Sequence, residues 1–423
     1  MGTRVARDLV VGVVGLGKLG LPLAVTLALE GFSVIGHDRD SSRMTPLALA
    51  EWELDRTGSG SLLDEWRRSG STDLRFMELS TLVDLADCIL VAVETPHAPL
   101  YEGVTALPET RADFDYTALR GAVSEIVAIA NGNLAIGIIS TVLPGTTRRE
   151  ILPLTGDHSL VYCPQFIAMG RVSQDFLDPE FILIGTDSDD DRIESVFKAL
   201  APTAPTLRMH FESAELTKTI YNTYISTKVA ISNLIQQISG VTGADAKDVF
   251  SAVQQAGKRI TSSSYMGPGL GDGGPCHPRD NIALSWLVRS IGLKSDLFTT
   301  VMDVRYEHTV WLAEEFLSAA GDRPLVILGM AYKPGVPIET GSAAVLLAQI
   351  LRNRGVEFKV VTTSDDGKSA YAEGEARPHA YFIGCPEPEF YKAEFADGSI
   401  VFDPWYRAVP ADNIEVVHPG STV

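Results

Sequence analysis

A chain of 423 residues, 45% hydrophobic and 21% charged, has apolar content for two or three ordinary domains. Its formal net charge of -19 disfavours nucleic acid and anionic membrane as partners, while a phosphate-bearing ligand stays open because backbone dipoles act locally. Four scattered cysteines without a CxxC pair or metal-ligand spacing, no signal-peptide core, Ala6 where myristoylation needs Ser or Thr, and no apolar run of spanning length together lead us to expect a cytoplasmic protein.

Leu9 to Val14 is a valine-rich run that predicts a buried strand. Gly15-Leu16-Gly17-Lys18-Leu19-Gly20 follows at once, then a helical pattern to about Glu30, closed by Gly31. A second strand, Phe32 to Gly36, leads to His37 and Asp38. Gly15 permits a tight turn, Gly17 lets backbone approach a pyrophosphate, and Gly20 lets helix pack on strand. The arrangement predicts dinucleotide binding through Gly15, Gly17, Lys18, Leu19 and Gly20. Asp38 would accept hydrogen bonds from ribose hydroxyls and repel a 2'-phosphate, which favours NAD over NADP. Arg43 is a further cofactor candidate, able to pair with a phosphate or with Asp38.

Residues 45–80 read as mixed helix and loop. Ala86 to Val93 is a strand with Cys88 in its core, and Thr95 beyond its carboxyl end is a candidate cofactor contact, because ligands of open parallel sheets sit there. A helix is expected over Tyr116 to Ala130 and a strand over Leu134 to Ile139. Thr141 in the following Ser140-to-Thr147 run (STVLPGTT) is a candidate site residue; Thr146 and Thr147 are equally suited to capping a helix around Arg148 to Leu154. Strands at Leu160 to Phe166, Phe181 to Gly185 and Thr206 to Met209, with a helix at Ile193 to Ala201, complete one α/β domain over residues 1–210.

From Ser213 to Ser239 the chain is helical, without proline or glycine, and places Lys218 and Asn222 four apart on one face. Further helices run over Val241 to about Ile260 and Ala283 to about Ala320. Between them lies Gly267 to Asn281 (GPGLGDGGPCHPRDN), a constrained loop suited to presenting the Cys276 thiol near Asp280. A second, smaller α/β unit follows, with strands at Leu325 to Gly329, Phe358 to Val361, Ala380 to Ile383 and Ser399 to Phe402, and a helix over Ser342 to Gly355. The predicted fold class is α/β: two Rossmann-like doubly wound domains joined by a long helix and a helical middle domain.

The ordered set of motifs resembles the nucleotide-sugar 6-dehydrogenases, the family of UDP-glucose, UDP-N-acetylmannosamine and GDP-mannose dehydrogenases, over nearly the whole chain. The glycine fingerprint with Asp38, STVLPGTT, AELTKTIYN, GGPCHPRD and GMAYKP carry the likeness. The resemblance implies an NAD-binding domain over 1–210, a central dimerisation domain over 211–320, and a nucleotide-sugar-binding domain over 321–423. It implies NAD-dependent oxidation of a sugar primary alcohol to a carboxylate in two hydride transfers, through a Cys276 thiohemiacetal and thioester. Lys218 and Asn222 would stabilise oxyanions, Asp280 would orient or deprotonate water, and Thr141 would help position it. Gln165, Phe166, Lys218, Asn222, Arg259, Tyr265, Gly273 and Lys333 correspond to substrate-binding positions; a UDP-sugar substrate and a homodimer are implied, with no metal.

Some positions depart from the family. Its PEFLREG reads Pro164 to Gly170 (PQFIAMG) here, so Gln165 and Met169 stand in place of two glutamates. Glutamine holds a water by hydrogen bonds but cannot take its proton. Arg279 replaces the loop lysine, His277 replaces an apolar neighbour of the thiol, and Thr340 replaces an arginine of the last domain. A variant stopping at the aldehyde, and a non-catalytic nucleotide-sugar binder, are the alternatives these changes leave open.

Overall fold

The computed structural model describes residues 6–52, 56–57, 60–96, 112–167, 171–262, 269–270, 278, 281, 285, 288–336, 338–362 and 377–420. Contacts divide the chain into two compact units, Met1–Thr227 and Lys228–Val423, with the boundary inside the helix Phe211–Thr242.

Among the described residues the first unit holds ten strands: β1 (Val10–Val14), β2 (Ser33–His37), β3 (Arg56–Thr57), β4 (Gly60–Ser61), β5 (Leu74–Phe76), β6 (Cys88–Val91), β7 (Ala135–Ile138), β8 (Ser159–Tyr162), β9 (Ile182–Gly185) and β10 (Thr206–Met209). Eight of them form one sheet in the order β10-β9-β8-β7-β6-β1-β2-β5, while β3 and β4 make a separate antiparallel pair. Strands β6 and β7 are buried at every position, as a sheet covered on both faces requires. Pairing is parallel from β5 to β8, and β9 meets β8 antiparallel at Tyr162 and Gly185.

Gly185 also seats the long helix. A Cβ there would lie 2.6 Å from the Cβ of Ala214, so the missing side chain is what admits the helix's first turn against the sheet. Phe211 and Ala214 are buried in that contact's core. The helix is thereby fixed with Glu215 and Lys218 turned into the unit, both buried.

The second unit carries a five-stranded parallel sheet in the order β12-β11-β13-β14-β15. Its strands are β11 (Leu325–Leu328), β12 (Phe358–Val361), β13 (Ala380–Ile383), β14 (Ser399–Phe402) and β15 (Ile414–Val417). Phe316, Phe382 and Phe402 pack ring on ring at its core, with centroids 5.2–5.6 Å apart. Ser342 caps the helix Ala343–Asn353, its Oγ accepting the Ala344 N–H at 3.1 Å.

Three features differ from the sequence expectation. Residues 45–80 include an edge strand, β5, which is too short to show a period and buries only Leu74. Strand β15 is likewise half-exposed and lacks an apolar run. The helix expected to run to Ala320 is interrupted: Gly292 adopts φ +76°, and Asp296 starts a new helix, Leu297–Ala320, by accepting the Thr299 N–H at 2.9 Å.

Candidate active site

The sheet's order reverses at β1. Strand β2 lies on one side of it and β6 on the other, so the chain leaving β1 faces a crevice at the carboxyl ends of the strands. The three fingerprint glycines serve three separate needs. Gly15 takes φ +93° and donates its N–H to the His37 carbonyl at 3.0 Å. Gly20 starts the helix Gly20–Leu29, and a Cβ there would lie 1.8 Å from the Gly15 carbonyl oxygen. Gly17 faces open space; its nearest neighbour would be an Arg43 guanidinium nitrogen at 3.8 Å.

Asp38 is held at the end of β2 by two backbone donors, Leu16 N–H at 2.6 Å and Asp40 N–H at 2.8 Å. The carboxylate is thus aimed by the glycine turn itself. Together with Gly15, Gly17, Arg43, Val93 and Glu94 it lines a cleft over β1 and β6. Arg43 approaches Asp40, at 3.6 Å. An open glycine backbone beside a fixed carboxylate fits the pyrophosphate and ribose of a dinucleotide.

A second cleft shares Gly17, Ala92, Val93 and Glu94 with the first, so the two are continuous. It is lined further by Lys18, Leu19, Thr95, Ser140, Thr141, Gln165, Ile167 and Lys218. The loops after β6 and β7 are stitched together here. Thr95 Oγ1 donates to the Thr141 carbonyl at 2.7 Å, and Ser140 Oγ donates to the Val93 carbonyl at 2.5 Å. Thr95 is therefore tied to Thr141, which places both on the cleft wall.

Lys218 is 8% exposed. Its Nζ donates to the Gln165 carbonyl at 2.7 Å and lies 4.7 Å from the Phe166 ring centroid. Burial pushes its pKa down. Phe166 packs edge-on against Phe181 and Tyr221, so its ring supports the lysine. The Gln165 side chain is turned back, its Nε2 donating to the Cys163 carbonyl at 2.9 Å. Asn222, one turn beyond Lys218, is exposed and is not part of the cleft wall.

Glu215 braces the loop that carries Thr141. It is fully buried, and its two carboxylate oxygens accept the Gly145 N–H at 2.5 Å and the Thr147 N–H at 2.7 Å. Thr146 and Thr147 are buried too; the Thr146 hydroxyl donates to Tyr116 OH at 3.3 Å and forms no helix cap. The helix expected after them begins instead with a π-helical turn, Thr147–Ile151.

Cys276, Asp280, Tyr265 and Gly273, with His277 and Arg279, lie outside the described residues. Just before the cysteine, Gly269 abuts Trp405, whose ring would lie 2.6 Å from an added Cβ. Within the same unit, Arg259 is exposed and Lys333 lies over the Tyr332 ring at 5.4 Å. Cys88, Cys163 and Cys385 are buried thiols; burial pushes Cys88 and Cys385 up to about 12 and raises Cys163 as well. They are core residues, as expected for Cys88. Sequence reasoning missed His37, Arg39, Glu94, Glu125, Ser140 and Ile167 as cleft residues. The carboxyl-end rule that selected Thr95 and Thr141 would have selected Glu94 and Ser140.

The description "UDP-glucose/GDP-mannose dehydrogenase family, NAD binding domain" matches residues 9–201, and the central domain of the same family matches residues 212–306. The chain belongs to this family. It is 26% identical to the GDP-mannose 6-dehydrogenase of Pseudomonas putida over 83% of this chain and 80% of that one. It is 26% identical to the UDP-glucose 6-dehydrogenase of Rhizobium meliloti over 95% of this chain and 91% of that one. Its fold matches a crystal structure of a ternary complex of GDP-mannose dehydrogenase from Pseudomonas aeruginosa, with TM-score 0.80 and 22% identity over 96% of this chain and 99% of that one. NAD is the cofactor of this family member, and the cleft with Gly17 and Asp38 fits it. No helix among the described residues is long and apolar enough to cross a membrane.

Proposed function

We propose that this family member oxidises the C6 primary alcohol of a nucleotide-activated sugar, a UDP-sugar in the first instance, to the carboxylate. One observation carries the reading: the buried Lys218 ammonium lines a cleft continuous with the cofactor cleft. A cation held there, partly stripped of water, is suited to stabilising an alkoxide or a tetrahedral oxyanion. Membership of the family supports a two-step oxidation.

NAD, when bound, supplies the hydride acceptor for both oxidations. The chain's own residues do the rest. Cys276 adds to the aldehyde and later carries the acyl group as a thioester. Lys218 holds the oxyanions from the cleft wall, Asn222 one turn further on is assigned the same role by the family likeness, Thr141 helps position water, and Asp280 orients that water or takes its proton. Phe166, Arg259, Tyr265, Gly273 and Lys333 are assigned to substrate binding, beside Gln165. Leu216, Ile220 and Tyr224 recur every four residues on the long helix and are about half exposed, which supports a homodimer formed on that face. The scattered cysteines support a cytoplasmic location.

The fold-back of Gln165 onto the Cys163 carbonyl favours a second reading, in which the aldehyde leaves after the first hydride transfer, because a thioester formed by the second would lack this side chain as a holder of the hydrolytic water. Counting NADH formed per nucleotide sugar separates the two: two means acid, one means aldehyde. Cys276→Ser should abolish the second NADH. Ligand binding with no NADH across a broad sugar panel, and indifference to Cys276→Ser, would leave a non-catalytic binder and overturn the proposal.

A further inference from the structure

The cofactor cleft has an ion pair on its wall that the motifs do not explain. Arg39 and Glu125 both line it, and the Arg39 Nη2 lies 2.5 Å from the Glu125 Oε1. Arg39 follows Asp38 directly, at the end of β2, whereas Glu125 sits on the helix Thr117–Ile129. The pair therefore ties the end of β2 to that helix at the edge of the cleft.

The guanidinium lies against the helix at Gly121. Gly121 is an interior helix residue, where glycine is less stable than alanine by roughly 1 kcal/mol. A Cβ at Gly121 would lie 3.4 Å from the Arg39 Nη2, which is its nearest neighbour. Gly121 and Glu125 are four apart and share a face, with Ala118 and Ala122 beside them on the cleft wall. Arg39 thus passes within contact distance of the helix at Gly121 and reaches the carboxylate one turn further on.

An arginine beside the ribose-binding carboxylate is the group a 2'-phosphate would recruit, because guanidinium matches phosphate in both charge and fork geometry. Here that arginine is already paired. The cleft wall carries three carboxylates (Asp38, Glu94, Glu125) against two guanidinium groups (Arg39, Arg43), and Arg43 has Asp40 at 3.6 Å. A dinucleotide with free ribose hydroxyls needs only acceptors there. One with a 2'-phosphate needs a cation that is not committed elsewhere.

We propose that Glu125 is a specificity-determining residue: by holding Arg39 it denies the cation to a 2'-phosphate and so keeps the cleft selective for NAD over NADP. The inference rests on the cofactor cleft alone and is independent of which sugar is oxidised. It assigns Arg39 a latent affinity that the helix suppresses.

The test is binding, with no turnover needed. NADH and NADPH are titrated by fluorescence against the full chain, Glu125→Gln, Glu125→Ala, and Glu125→Gln combined with Arg39→Gln. Releasing Arg39 should tighten NADPH by about tenfold while NADH moves less than about twofold, as a charge-assisted contact to phosphate would give. Adding Arg39→Gln should remove the gain. The gain should also shrink at high salt, because the pair is exposed. Equal shifts for both nucleotides in both single variants would overturn the proposal, as would an NADPH gain that survives loss of Arg39. The two Glu125 substitutions differ in size and polarity, so a packing defect in one does not decide the result.

Discussion

The Lys218 ammonium donates to the Gln165 carbonyl at 2.7 Å, joining the long helix to the loop after β8 at the wall of the inner cleft. The backbone of residue 165, rather than its side chain, is what this contact uses. Replacing the family's glutamate by glutamine therefore leaves the lysine's anchor in place while removing a proton acceptor. That relationship ties the pH behaviour of the protein to one buried cation.

Burial lowers the Lys218 pKa, so in the folded state its proton leaves below the usual value of about 10.4. In the window between the lowered folded value and about 10.4, the unfolded chain binds more protons, and stability should rise with pH. Activity should fall over the same window as the oxyanion donor loses its charge. Urea denaturation across this range should show that slope in the wild type and not in Lys218→Met. The alkaline limb of kcat should move upward in Lys218→Arg, whose guanidinium stays charged; an unmoved limb would assign it to another group.

Gly17 and Gly20 should separate ligand approach from folding. At Gly17 an added methyl meets nothing closer than 3.8 Å, so Gly17→Ala should change stability by less than about 0.5 kcal/mol. The methyl would occupy the backbone's approach to the pyrophosphate, and NADH affinity should fall at least about tenfold. At Gly20 the methyl would lie 1.8 Å from a carbonyl oxygen, and Gly20→Ala should cost about 3 kcal/mol or more. Thermal melts and NADH titrations on both variants check the contrast.

Glu215→Ala would strand two backbone N–H groups that the carboxylate now satisfies, at Gly145 and Thr147. With each orphan costing about 1–3 kcal/mol, a loss of roughly 2–6 kcal/mol is expected in chemical denaturation. Glu215→Gln, which keeps one acceptor of the right shape, should lose about half as much. A variant as stable as the wild type would show that the loop does not need this brace.

The backbone at Gly269 lies against a ring that cannot easily yield, because Trp405 donates its Nε1 to the Ile383 carbonyl at 3.0 Å. Gly269→Ala should destabilise by about 1–3 kcal/mol through overpacking. Trp405→Leu, harmful alone, should relieve the effect when combined with it, and a double-mutant cycle measures the coupling. Additive losses would mean that the contact is not the cause.

Much of this protein was legible in the sequence because the signals are local. The valine run, the glycine spacing and Asp38 lie within one stretch from Val10 to Asp38, and a turn's steric demands act between neighbours. Strands β12, β13 and β14 fall where the apolar runs place them. The sequence by itself determined the fold class, the cofactor turn and the order of the motifs. Tertiary structure alone decided what those motifs touch. Glu215 reaches Gly145 and Thr147 across about 70 residues of chain, and Arg39 meets Glu125 across 86. Lys218 and Asn222 share a helical period, yet one is buried on Gln165 and the other is exposed. Period fixes which face a side chain lies on; only packing against Gly185 and the loop after β8 fixes how deep that face is buried.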